Sequence, residues 1–121
     1  MYKLVRDYLD KSGLLNSLVI QYLRWDDDGN NKIYVVFSPN GGSTLSASLG
    51  NEYLVLVNFI APNNNAQLID DLVDKVTEYI KKNQFDETLG SVQIVGGIPS
   101  PTSLTDNRLV YRLLLAIKHG T

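Results

Sequence analysis

Residues 52–60 place Tyr53, Val55, Val57 and Phe59 on one side of an extended chain and Leu54, Leu56 and Ile60 on the other. A strand that is apolar on both sides is stable only where both sides are covered, so this segment belongs in the middle of a sheet. Shortly after it, beyond Pro62, the residues Leu68, Ile69, Leu72, Val73, Val76, Tyr79 and Ile80 recur at three- and four-residue spacing. That period predicts an amphipathic helix ending near Asn83, with an asparagine at 63–65 as its N-cap. Asp70 and Asp71 lie early and Lys81 and Lys82 late, which suits the helix dipole, and Asp71 with Lys75 and Glu78 with Lys82 are spaced as i,i+4 pairs.

The remaining segments fit around these two. Tyr2, Leu4, Val5, Tyr8 and Leu9 predict a short N-terminal helix stopped by Ser12-Gly13. Residues 16–23 and 33–37, rich in β-branched and aromatic side chains, predict two strands joined by a turn over the acidic, Gly- and Asn-bearing residues 26–31. Residues 38–51, a run of small side chains, predict an unusually long loop, and long ordered-domain loops are commonly functional. Residues 83–91 predict a loop, 92–95 a short strand ended by Gly96-Gly97, and 98–107 a connection bearing Pro and Ser. Residues 109–117 fit either a strand or a helix, with the strand favoured. The predicted order is α-β-β-β-α-β-β over residues 1–121: an α+β domain in which two helices pack on one face of a mainly antiparallel sheet of about five strands, the other face being free to meet a partner.

Composition narrows the function. Apolar residues make up 44% and charged residues 20% of the 121 positions, enough to fold unaided around one core. The absence of cysteine removes disulfides, thiolate metal sites and thiol nucleophiles. A net charge of −2 with scattered Lys and Arg argues against sequence-specific nucleic-acid binding. The longest apolar run, 109–117, is about half of the roughly 20 residues a membrane span needs. Residues 1–7 carry charges inside every apolar run, so no export signal is expected.

No motif carries catalysis. Asp26-Asp27-Asp28-Gly29-Asn30-Asn31 resembles a calcium loop in composition, but counting from Asp26 puts Asn31 at the glycine position and Phe37 at the glutamate position. Gly41-Gly42-Ser43-Thr44 lacks the Lys of a phosphate-binding loop. His119 is the sole histidine and is expected in a frayed tail; serines 38, 43, 46, 48, 91, 100 and 103 are expected in loops without a positioned base. Asp106-Asn107-Arg108 reads as a polar turn before the last element or as a recognition point. Trp25, with Tyr22 and Tyr34, is expected in core or interface packing, since the carboxylates at 26–28 would repel a phosphate backbone. Neither a metal nor a cofactor is expected.

Taken together, the N-terminal helix, Tyr34-Val35-Val36, Gly41-Gly42, Leu49-Gly50-Asn51-Glu52-Tyr53-Leu54-Val55-Leu56-Val57, the helix over 68–80 and Asp106-Asn107-Arg108-Leu109-Val110-Tyr111 make the chain resemble the tail terminator proteins of long, non-contractile-tailed bacteriophages or related prophages. The resemblance is spread over nearly the whole length. It implies a non-enzymatic homo-oligomer, a ring of about six copies, that caps the tail tube, stops its polymerisation and offers a surface to the head–tail connector protein. Its place would be the virion tail, assembled in the bacterial host cytoplasm. Residues 38–51 and 98–107 are then expected to contact neighbouring subunits and the tail tube protein, with Asn40, Gly41, Gly42, Ser43, Thr44, Asp106, Asn107 and Arg108 as contact residues. The alternative readings are a small-ligand-binding or regulatory α+β domain and, less favoured, an enzyme using scattered carboxylates and serines.

Overall fold

The computed structural model describes residues 1–26, 32–46, 50–62, 65–97, 99, 101–104 and 108–119, and for 41–46, 50, 51 and 119 it describes the backbone alone. Along the described chain the elements are α1 (Tyr2–Asp10), β1 (Val19–Tyr22), β2 (Tyr34–Ser46), β3 (Gly50–Ala61), α2 (Ala66–Lys82), β4 (Phe85–Asp86), β5 (Gly90–Val95), β6 (Pro101–Ser103) and β7 (Leu109–His119). The strands form one seven-stranded mixed sheet in the order β1-β2-β3-β7-β5-β4, with β6 also beside β7.

Strand β3 is central, as its two apolar faces require. It pairs antiparallel with β2 on one side and with β7 on the other, from Asn51 opposite His119 to Ala61 opposite Leu109. Val55, Val57 and Phe59 enter the main core with Val35 and Phe37 of β2 and Leu113, Leu115 and Ile117 of β7. Each such side chain contributes about 1.5–3 kcal/mol on burial. Val5, Tyr8 and Leu9 of α1 and Ile69, Val73, Val76 and Ile80 of α2 join the same core, so both helices cover one face of the sheet. A smaller cluster of Tyr34, Val36, Ile60 and Val110 lies on the opposite face, flanked by Val19, Trp25 and Leu104.

Both helices end where the sequence stops them. Ser12 Oγ donates to the Leu9 carbonyl (2.6 Å) and accepts from the Leu14 N–H (3.1 Å), and Gly13 turns the chain with φ of 76°. Asn65 is the N-cap of α2, and Lys81 and Lys82 occupy its last turn. Asp70 and Asp71 fall just after the first turn, and Asp71 accepts a 3.0 Å hydrogen bond from Gln67. The helices are tied together near these ends: the Tyr8 hydroxyl donates to the Asn83 carbonyl, and the Tyr8 and Tyr79 rings lie 5.5 Å apart.

Several expectations are corrected. The sheet has seven strands among the described residues instead of about five, because the two extra strands, β4 at 85–86 and β6 at 101–103, are too short to leave a periodic signal. β1 and β2 run parallel, with Val19 beside Tyr34 and Tyr22 beside Phe37, so residues 26–31 do not close a hairpin between them. Strand composition does not encode direction, and the 11 residues from 23 to 33 nearly match the dozen that a parallel crossover needs. Residues 38–51, expected as a loop, largely extend β2 and begin β3: the ladder runs from Ser38 opposite Leu56 to Ser46 opposite Gly50. Pairing with β3 outweighs the weak strand preference of Gly, Ser and Asn there. Residues 109–119 are a strand, and the backbone of His119 is paired with Asn51 instead of frayed. Ser38, Ser43, Ser46, Ser91 and Ser103 lie in strands, while Ser48 and Ser100 lie outside the described residues.

Candidate interaction surfaces

The register carries each rung across four strands. Ser38 of β2 faces Leu56 of β3, which faces Leu114 of β7, which faces Val95 of β5. Five residues along, Ser43 is level in the same way with Glu52, Lys118 and Ser91. At this level the sheet ends in two partly open edges. β1 covers only Tyr34–Phe37 of β2, and from Ser38 to Ser46 no strand lies on the outer side of β2 among the described residues. At the other end β4 covers Gly90 and Ser91 of β5, and the Val92 N–H donates to the Gln84 carbonyl (2.8 Å). Residues 93–95 have no outer strand among the described residues.

The open stretch of β2 begins where β1 is forced off it. The Leu23 N–H still donates to the Phe37 carbonyl (2.8 Å), but the Arg24 N–H turns back onto the Tyr22 carbonyl (2.9 Å), closing a γ-turn with Leu23 at φ 74°. This is the strained hand of that turn, and for a residue with a Cβ it costs about 1–2 kcal/mol. Leu23 is 60% exposed, so packing within the subunit offsets little of that cost.

Five of the expected contact residues lie on this open stretch. Asn40, Gly41, Gly42, Ser43 and Thr44 are all in β2, next to register shifts between Pro39 and Gly42 and between Thr44 and Ser46. Each shift inserts one extra residue on β2, the bulge geometry that glycine eases and that commonly occurs at sheet edges. Asp106 and Asn107 lie outside the described residues. Arg108 precedes β7; its carbonyl accepts from the Leu104 N–H (2.8 Å) and its guanidinium lies 5.0 Å from the centre of the Trp25 ring. Trp25 in turn packs edge-on against Tyr34 at 6.0 Å, on the helix-free face, whereas Tyr22 packs at a tilt against Phe37 and Tyr2 towards the helices. Arg108 is therefore not brought together with residues 40–44. The rung of Gly42, at Ile117, lies nine residue steps along the chain from Arg108, a span of about 30 Å.

Sequence reasoning missed three residues at these edges: Leu23, Phe85 (74% exposed, in β4) and Val95 (43% exposed, ending β5). The isolated aromatic between Gln84 and Asp86 was a usable signal, whereas nothing in the sequence marks the positive φ of Leu23. Asp86 itself is structural. Burial alone would raise its pKa, but the Lys11 ammonium (3.1 Å) and the backbone N–H groups of Leu89 and Thr88 outweigh that and hold it below the usual carboxylate range.

Among the described residues, one surface groove of about 350 Å³ runs along Ile80, Gln84 and Ile94 beside the β5 edge, and another of about 360 Å³ lies between Leu14 and α2. Among the described residues no three His, Cys, Asp or Glu side chains gather as metal ligands, and no helix is long and apolar enough to cross a membrane.

A model of the phage tail termination protein family matches residues 1–121, the full length of the sequence. The chain belongs to this family. No curated protein matches it. As a tail termination protein it is structural and non-enzymatic: it caps the phage tail tube, and its place is the virion tail, assembled in the host cytoplasm. For such a role the surfaces that meet other proteins take the place of an active site.

Proposed function

We propose that the chain, acting as one α+β domain over residues 1–121, closes into a ring of about six copies on the finished tail tube of a long, non-contractile tail. The ring blocks further addition of tube subunits and presents its far side to the head–tail connector protein. Full-length membership of the tail termination family carries this reading. The sheet supports it, because a subunit with partly open edges at both ends can join copies head to tail without using up either edge on itself.

The expected contact residues divide between two levels of the subunit. Asn40, Gly41, Gly42, Ser43 and Thr44 sit on the open stretch of β2 and serve contacts there, with neighbouring subunits or with the tube. Arg108 lies beside the opposite end of β7, where a second protein would be met, while Asp106 and Asn107 lie outside the described residues. Tail tube protein at one end and connector protein at the other are the partners that fit this division.

Native mass spectrometry of the protein, alone and mixed with its tail tube protein over a wide concentration range, tests the reading. A closed species of about six subunits in either sample is expected. Monomer at every concentration in both samples would refute it.

A further inference from the structure

The two open edges match each other. They lie on the same rungs, Ser38 and Pro39 of β2 being level with Val95 and Ile94 of β5 across β3 and β7. Every junction between β2 and β5 in the sheet is antiparallel, so β2 and β5 themselves run in opposite directions. A rotation about an axis along the strands would carry β2 of one copy next to β5 of another, in antiparallel orientation and at the same height. That is a head-to-tail contact of the kind that closes a ring.

Of the exposed large apolar side chains among the described residues, Leu23, Phe85 and Val95 fall at these edges, while Leu4 and Leu68 lie on the helices. Leu23, bonded to Phe37 at the start of the open stretch of β2, is level with Val95 at the far end of the sheet. Phe85, opposite Ser91, is level with Ser43. A leucine held at positive φ with 60% of its surface exposed gains little inside its own subunit to offset that strain.

We propose that neighbouring copies of this chain join edge to edge, residues 93–95 of β5 pairing antiparallel with β2 from Ser38 onward, Leu23 packing against Val95 of the next copy and Phe85 against its β2 beside Gly41–Thr44. The ladder is short, and Pro39 has no N–H to offer it, so the apolar contacts supply most of the association. Pro39 and the bulges also keep this edge from pairing with strands of other register. This contact rests on the ring reading above and specifies its interface.

Because the chain has no cysteine, a disulfide test is clean. Ser38→Cys combined with Val95→Cys is expected to give, on oxidation, covalent multimers up to the full ring on a non-reducing gel. Within one subunit the two positions are three strand spacings apart, about 14 Å, too far for the roughly 7 Å limit of a disulfide. The pair Ser38→Cys with Gln93→Cys tests a slip of two residues. Independently, Leu23→Asn places a residue that tolerates positive φ at the γ-turn. It is expected to raise the melting temperature of the subunit by a few degrees while weakening association about tenfold or more. A ring seen by native mass spectrometry with neither cysteine pair cross-linking, or with Leu23→Asn assembling like the parent, would overturn the edge contact and leave the ring intact. Absence of any ring in the parent protein would overturn both.

Discussion

The Tyr111 hydroxyl donates a 2.8 Å hydrogen bond to the Asp70 carboxylate, tying β7 to the early part of α2. Tyr111 is buried in the main core, while Asp70 stands at its exposed rim. Tyr111→Phe keeps the ring and removes the bond, and is expected to lower unfolding free energy by about 1 kcal/mol in urea titrations.

The same tyrosine sets an alkaline limit. Burial, then the hydrogen bond to Asp70, pushes its pKa from 10.0 up to about 12, and burial also raises that of Tyr8. Between about 10 and 12 the folded state keeps a proton that the unfolded chain gives up, so stability falls as pH rises through that window. Urea midpoints of the parent should drop between pH 9 and pH 11.5, and Tyr111→Phe should show a shallower drop.

Asp86→Asn tests the opposite limb. The Asp86 carboxylate joins Lys11 to the Thr88 and Leu89 backbone, and its pKa lies below its ordinary 3.8. Its contribution is present above about pH 4 and is lost as pH falls through the lower folded value. The variant should be less stable at pH 7 by about 1 kcal/mol and should lose less than the parent on acidification below pH 4, measured by thermal melts.

One glycine and two leucine substitutions separate backbone from packing. A Cβ at Gly13 would meet nothing nearer than Asn16 Nδ2 at 3.8 Å, so Gly13→Ala should cost only the positive-φ penalty, about 1 kcal/mol. Leu113, with no exposed surface, lies against the helices, and Leu113→Ala should cost about 2–5 kcal/mol, against little change for Leu68→Ala on the outer face of α2. Chemical denaturation of the three variants gives the comparison.

What could be read from the sequence follows from how strongly each element announces itself. Residues 52–60 and 68–80 were legible because both carry a long, unbroken period, and they anchor the sheet and its helical cover as expected. The open stretch of β2 was not legible as a strand: its Ser, Gly and Asn residues have weak strand preference, and its pairing is dictated by β3, far better suited to the sheet. Its place at an edge, and so the setting of Asn40 to Thr44, depends on where β1 stops, which a positive φ at Leu23 decides. Arg108 was singled out in sequence, but its position over Trp25 required the fold to bring residues 25 and 108 to the same face.

The measurement closest to the central claim is electron microscopy of tail tube protein polymerising with and without this chain. Tubes ended by a cap of this protein at one end, and no longer elongating once it is added, are the predicted result. Tubes that continue to lengthen at both ends in its presence, with no protein bound at their tips, would contradict its role as a terminator.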